Sequence, residues 1–186
     1  MKKKIAFTVV IIFIALYACA FCYARDWAKE PVIKYYDGNE SIVYDGIEYT
    51  LSAVIMSEEK LVEEYGIPKE NLASYIYNNP DVEFEYIIVK RVRKRVGDSV
   101  CKYEICSLVS KYVLAGGWPE VAYVLNGGET VKKQDLEMGQ EVEDYVVYIS
   151  NPKNVCNKID IEKQTFYYEF PDYEGHEYLS WVRVLN

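Results

Sequence analysis

Residues 90–95 read KRVRKR, five basic side chains in six positions of a chain that is otherwise acidic. A run of this kind suits three sorts of work. It can neutralise nucleic-acid phosphates, meet anionic headgroups or wall polymer, or simply pair with acids across a sheet. The field around it argues against the first. The formal net charge is −8, and residues 1–24 contribute three lysines and no acid. The remainder therefore sets 18 basic side chains against 29 acidic ones, a net charge of −11. A nucleic-acid-binding domain normally carries an overall basic footprint, so no nucleic-acid partner is expected. Alternation along a strand puts Arg91, Arg93 and Arg95 on one face beyond Ile87 and Val89, and Lys90 and Lys94 on the other beside Val92. The expectation is a long strand that leaves the core with its three arginines facing solvent. Glu104 and Glu143 are the expected cross-strand partners of the basic run. Contact of Arg91, Arg93 and Arg95 with an anionic surface is the functional alternative.

Other chemistry is sparse. His176, the single histidine, stands in the polar stretch DYEGHEY and reads as a solvated turn residue. The acids of residues 172–177 match no recognised calcium loop. The spacing in CKYEIC, residues 101–106, is not that of a zinc site. Neither a phosphate-binding glycine loop nor a nucleophile elbow occurs. A carboxylate pair for glycoside hydrolysis would come together only in the fold, and nothing in the sequence points to one. No catalytic residue, metal or cofactor is expected.

The five cysteines divide between the leader and the body. Cys101 and Cys106 stand five apart on one expected strand, on opposite faces and roughly 16 Å apart at ~3.3 Å per residue, too far to bridge. Cys101 is expected as a buried thiol. If a disulfide forms, the expected pair is Cys106 with Cys156.

The start of the chain speaks to compartment. Three lysines precede twenty residues, Ile5 to Ala24, without a charge. That length matches a hydrocarbon core of about 30 Å and also matches a signal peptide. Residues 18–20, ACA, resemble a cleavage site, and LYAC at 16–19 resembles a lipobox with Cys19 as the lipidated residue. Three readings stand side by side: a retained anchor, a lipoprotein and a secreted form. Each leaves the body outside the cytoplasm, with residues 5–24 as the membrane contact and the lysines inside.

Behind the leader, residues 25–40 read as a tether and residues 41–186 as one domain. Tyr (19 residues) and Val favour pleated, half-buried surfaces. Asp45-Gly46 between two β-rich runs signals a hairpin. Ser57, Glu58, Glu59 and Gly66 bracket a short helix at 58–65. Residues 68–80 read as a loop with room for one more helical turn. Strands are expected at 82–96, with 100–114 as its partner across the Gly97-Asp98-Ser99 turn, and at 121–125, 143–149, 165–170 and 177–186. In the last of these Tyr178, Ser180, Val182 and Val184 oppose Leu179, Trp181, Arg183 and Leu185. Trp118, in GGWPE, is expected as a core plug, with surface contact as the alternative. About seven to eight strands with one inserted helix indicate a mainly β sandwich or barrel.

Three stretches carry a family resemblance. YDGIEYTL (44–51) follows the leader and tether, FEYIIVKRVRKRV (84–96) is the long central strand, and LEMGQEVEDYVVYI (136–149) has a Leu-x-x-Gly-x turn before a late strand. Together these resemble the uncharacterised immunoglobulin-like domains of secreted or lipid-anchored Gram-positive bacterial proteins, over residues 41–186. The resemblance implies an immunoglobulin-like β-sandwich without known catalysis, and supplies no functional residues. The function expected is a membrane-tethered or secreted, non-enzymatic binding or accessory module. Its partner would be a protein or an envelope polymer. The alternatives are a structural or regulatory subunit of an envelope complex and a carboxylate-dependent envelope hydrolase.

Overall fold

The computed structural model describes residues 14–21, 32–38, 40–79, 82, 84–98, 107–110, 115–130, 132–150, 160–170 and 178–185. The chain divides into two compact units, Met1–Val32 and Ile33–Asn186. In the first, residues 14–21 form a helix, α1. Among the described residues no helix is long and apolar enough to cross a membrane. The expected n-region, the start of the apolar run and Cys22 lie outside the described residues.

The first strand falls within the stretch read as a tether. Residues Val32–Tyr36 form β1, an edge strand beside β9 (Tyr178–Leu185). Gly38 then crosses the end of β9. A Cβ there would stand 2.1 Å from the Arg183 carbonyl oxygen, so only glycine allows this close approach.

β2 (Ile42–Tyr44) and β3 (Ile47–Ser57) form the expected hairpin, with Tyr44 opposite Ile47. Its two-residue turn, Asp45-Gly46, has φ of 50° and 71°. Two successive positive φ values match the right-handed twist of the flanking strands and favour Asp-Gly. The amides of Val96 and Gly97 donate to the Gly46 carbonyl at 2.8 and 2.9 Å, so the end of the next strand clamps the turn.

β3 runs directly into α2 (Glu58–Tyr65). Ser57 caps it by accepting from the Lys60 amide, Glu58 and Glu59 occupy its positive end, and Gly66 closes it at φ 64°. A turn at Lys69–Asn71 and a single helical turn, α3 (Ala73–Ile76), follow. β4 (Glu85–Arg95) is the central strand. It pairs antiparallel with β3 from Ser57↔Glu85 to Ile47↔Arg95, and with β7 (Glu141–Ser150) from Glu85↔Ser150 to Lys94↔Glu141.

Two expectations are corrected here. The segment after β4 was expected to pair with it, but Ser107–Val109 (β5) joins the other sheet, opposite β8 (Phe166–Phe170). Both flanks of β4 are already taken. The rest of that segment, including Cys101 and Cys106, lies outside the described residues, as do Cys156, Glu104, His176 and residues 172–177. Residues 121–125 were expected as a strand, but Pro119–Leu125 form a helix, α4. Pro119 suits the first helical position, where its missing N–H is not needed. Val121 is fully buried on the helical spacing, with Val124 and Leu125 packed against the same cluster. Tertiary burial outweighs the strand preference of VAYVL.

The result is mostly strand with a few short helices. Gly116–Gly117 (β6) completes a five-stranded sheet of order β2-β3-β4-β7-β6, facing a four-stranded sheet of order β1-β9-β8-β5. Between the sheets lies one core, which includes Tyr49, Ile87, Val89, Phe166, Tyr168 and Val182. On the other face of the five-stranded sheet a second core joins Tyr86, Ile88 and Val147 to Leu61, Ala73 and Val121 of the helices. Each fully buried large side chain stabilises by roughly 1.5–3 kcal/mol. Three helices, where one was expected, cover what a simple sandwich would leave to solvent.

Candidate functional site

The basic run occupies the second half of β4, and period-2 alternation sorts its five cations into two sets. The inner set is corrected by the structure. Arg91 and Arg93, expected in solvent, are 8% and 0% exposed. Arg91 grips Asp144 of β7 with both prongs, Nε to Oδ1 at 2.9 Å and Nη2 to Oδ2 at 2.5 Å. Its Nη1 donates to the Tyr168 hydroxyl at 3.0 Å, on the opposite sheet. Arg93 Nη2 lies 2.8 Å from Asp144 Oδ2. Arg95 is half-buried and donates to three carbonyls, those of Leu136 (2.8 Å), Gly97 (3.2 Å) and Asp98 (3.2 Å). The alternation was legible; the second sheet decides that this face is covered. Nearby, Lys133 is 2% exposed, pairs with Asp45 at 2.7 Å and lies 5.9 Å from the centre of the Tyr44 ring.

The outer set meets solvent. Lys90 pairs at 2.7 Å with Glu143, one of the two expected partners, and Lys94 is exposed. Hydrogen bonds from Lys90, and then from the Tyr145 hydroxyl, hold the Glu143 carboxyl below the usual carboxylate range. The same bond raises Lys90.

A cleft of about 940 Å³ opens along the β7 edge beneath α4. Its lining includes Trp118, Tyr123, Lys132, Tyr145, Arg91 and Asp144. Asn126 completes the edge like a strand residue: its side-chain amide donates to the Tyr145 carbonyl at 2.9 Å and accepts from the Tyr145 amide at 2.8 Å. Trp118 is 6% exposed and donates from Nε1 to the Asn71 carbonyl at 2.8 Å, in keeping with its expectation as a core plug.

Glycoside hydrolysis needs one carboxyl to keep its proton near neutral pH. In the cleft Asp144 is gripped by two guanidinium groups and Glu143 is shifted the opposite way. Among the described residues the raised carboxyl is elsewhere. Glu85, at the start of β4, is pushed up by burial and then by the charges of Glu162 and Asp160, and it does not line the cleft. Among the described residues no group of three or more His, Cys, Asp or Glu is placed to hold a metal ion.

The outer face of the four-stranded sheet holds a different kind of surface. On β8, Phe166, Tyr168 and Phe170 turn inward, leaving Tyr167 and Glu169 outward. On β9, Val182 is fully buried, so Trp181 and Arg183 turn outward as the expected alternation has them. Tyr35 of β1 joins them at 62% exposure. The Tyr167 and Trp181 rings are 5.4 Å apart and inclined by 34°. Tyr35 stands edge-on to both, at 5.5 Å and 69° from Tyr167 and at 5.7 Å and 85° from Trp181. Trp181 Nε1 donates to Glu169 Oε2 at 2.8 Å, and Arg183 pairs with Asp37 at 2.6 Å. Sequence reasoning did not bring this trio together, because its members come from positions 35, 167 and 181. The only local signal was the alternation in TFYYEF and in EYLSWVRVLN.

Cys19, the expected lipidation site, lies in α1 as an exposed free thiol. Comparison with known protein families, curated proteins and solved structures finds no match for this chain.

Proposed function

We propose that this chain is a non-enzymatic binding or accessory module of the cell envelope. Its N-terminal segment holds it at the membrane, or releases it when cleaved, and its body works on the extracytoplasmic side. The charge-free run of residues 5–24 behind three lysines supports the placement. The observation that carries the binding function is the outer face of the four-stranded sheet, where the exposed Tyr35 packs with the half-buried Tyr167 and Trp181. Aromatic side chains bring large amphipathic contact area at low conformational cost, so they concentrate where proteins recognise partners. Two acids of the cleft, Glu143 and Asp144, are committed to cations, which weighs against the hydrolase alternative. An immunoglobulin-like reading of the body rests on two facing antiparallel sheets with a shared core. The helical layer of α2, α3 and α4 is an addition to that plan.

The test uses the full chain in its own cells, with a photo-cross-linking amino acid at Tyr35 and, separately, at Met138, which is exposed in the turn that leads into β7. Adducts with envelope material from position 35 and none from 138 are the expected result. Equal labelling from both positions, or none from 35, overturns the assignment. Digestion of the body by protease added outside wall-stripped cells checks the compartment, and full protection would overturn it.

A further inference from the structure

We infer that the groove between α2 and α3 docks a basic segment of a protein partner, with an arginine side chain seated in the groove. This surface belongs to the helical layer, so the inference stands apart from the Tyr35 face proposed above. The groove encloses about 900 Å³. Glu58, Glu59, Val62 and Glu63 of α2 line one side, and Leu72 and Tyr75 line the other. Lys69 is the one cation of the lining, so three carboxylates leave a net charge of −2.

The groove is held in shape before anything binds. Glu58 Oε1 accepts from the Tyr86 hydroxyl at 2.9 Å and from the Ser74 amide at 3.0 Å, which ties the start of α2 to α3 and to β4. Tyr86 is fully buried, and its hydroxyl also accepts from the Ala73 amide at 2.7 Å. Both bonds to Glu58 fall on Oε1, and neither uses Oε2. A fixed carboxylate receives a donor at little ordering cost. Glu59 and Glu63 are exposed and stand four apart on α2, a spacing at which like charges destabilise a helix. A cation between them would remove that repulsion.

Charge and shape together select the occupant. A carboxylate only accepts hydrogen bonds, so the occupant must donate them, and a cationic donor bonds about twice as strongly as a neutral one. Residues 57–79 carry five acids and two lysines, a net charge of −3, which extends the same preference around the groove. Tyr75, 66% exposed, offers a ring on which a guanidinium can stack while its fork meets a carboxylate. Beside the groove the chain exposes Tyr75, Ile76 and Tyr77 in succession, the last two at 44% and 58%. Tyr77 is steadied from behind by Phe84 and Trp118, with ring centroids 5.8 and 5.6 Å away. A small free cation would leave this apolar strip uncovered. A polypeptide with apolar residues next to its arginine covers both, as aromatic and arginine-rich protein interfaces do.

The experiment is calorimetric titration of the full chain in polyoxyethylene detergent with a blocked peptide of alternating leucine and arginine. The same peptide with glutamine for arginine is the uncharged control. The expected result is saturable binding of the arginine peptide, weakened tenfold or more by Tyr75→Ala and by the pair Glu59→Gln with Glu63→Gln. All three side chains are exposed, so the variants keep the fold, and an unchanged circular dichroism spectrum confirms this. Glu137→Gln with Glu141→Gln removes the same charge at the opposite end of the five-stranded sheet and should bind as the parent does. Absence of binding, or equal binding by the glutamine peptide, overturns the inference. An equal loss from the Glu137 and Glu141 pair would assign binding to overall charge and overturn it too. Spermidine binding as tightly as the peptide would make the occupant a small polyamine, and the protein partner falls.

Discussion

On β4, Arg93 is wholly enclosed and shares Asp144 with Arg91, whereas Lys90, on the opposite face, reaches solvent and meets Glu143. The charges are the same and the residues are neighbours in one strand, yet their energetic weights differ. Removing a charge from water is costly, so a buried cation depends on its partner, and deleting that partner leaves an uncompensated charge. A pair in solvent trades one set of hydrogen bonds for another. The far end of the inner face extends the contrast. Glu85, by alternation on the same face as the arginines, is pushed up by burial and then by the charges of Glu162 and Asp160. Its buried Oε2 has no hydrogen-bond partner among the described residues.

The sharpest way to break the comparison is Asp144→Ala. It strands two guanidinium groups between the sheets and should destabilise by about 3–5 kcal/mol in denaturant unfolding. A loss below 1 kcal/mol would mean that the arginines do not depend on Asp144. Tyr168→Phe is a milder cut, since it removes one acceptor from Arg91 while keeping the ring. A loss of about 1 kcal/mol is expected by the same measurement.

Glu85 sharpens the contrast through pH. Its carboxyl holds a proton more tightly in the folded chain than in the unfolded one, where the ordinary value is 4.5. Its favourable contribution is therefore present below that value and is lost as pH rises through the higher folded value. Glu85→Gln should raise the midpoint of thermal unfolding at pH 7 by roughly 1–2 °C and leave it unchanged at pH 3.5. A larger gain at pH 3.5 than at pH 7 would reverse the sign of the argument. The smallest effect belongs to the outer face. Lys90→Gln should leave the unfolding midpoint within experimental scatter, and a clear drop would show the exposed pair to be as structural as the buried one.

Much of the architecture was legible because its causes are local. Ser57, the two following glutamates and Gly66 bracket α2 in sequence as they do in space. Asp45-Gly46 announces the hairpin, because few other dipeptides tolerate two positive φ values in succession. Residues 119–125 were misread because the valines and tyrosine of PEVAYVL favour strands, although Pro119 and Glu120 were signs of a helix start. β1 was missed for another reason: five residues of mixed polarity, VIKYY, become a strand only because β9 offers them an edge.

The candidate site divides along the same line. The sequence by itself determined which residues share a face: Arg91, Arg93 and Arg95 on one side of β4, and Trp181 with Arg183 on one side of β9. That follows from the two-residue period of an extended backbone, which needs no partner. Only the tertiary structure decided which of those faces is dry. The arginine face is enclosed because the four-stranded sheet packs over it, and Asp144, fifty-three residues beyond Arg91, arrives to neutralise it. The aromatic face stays open, and its three rings meet because β1, β9 and β8 are neighbours in the sheet although Tyr35 and Trp181 stand at opposite ends of the body. Burial is a property of what the rest of the chain brings alongside a residue, and no local period encodes it.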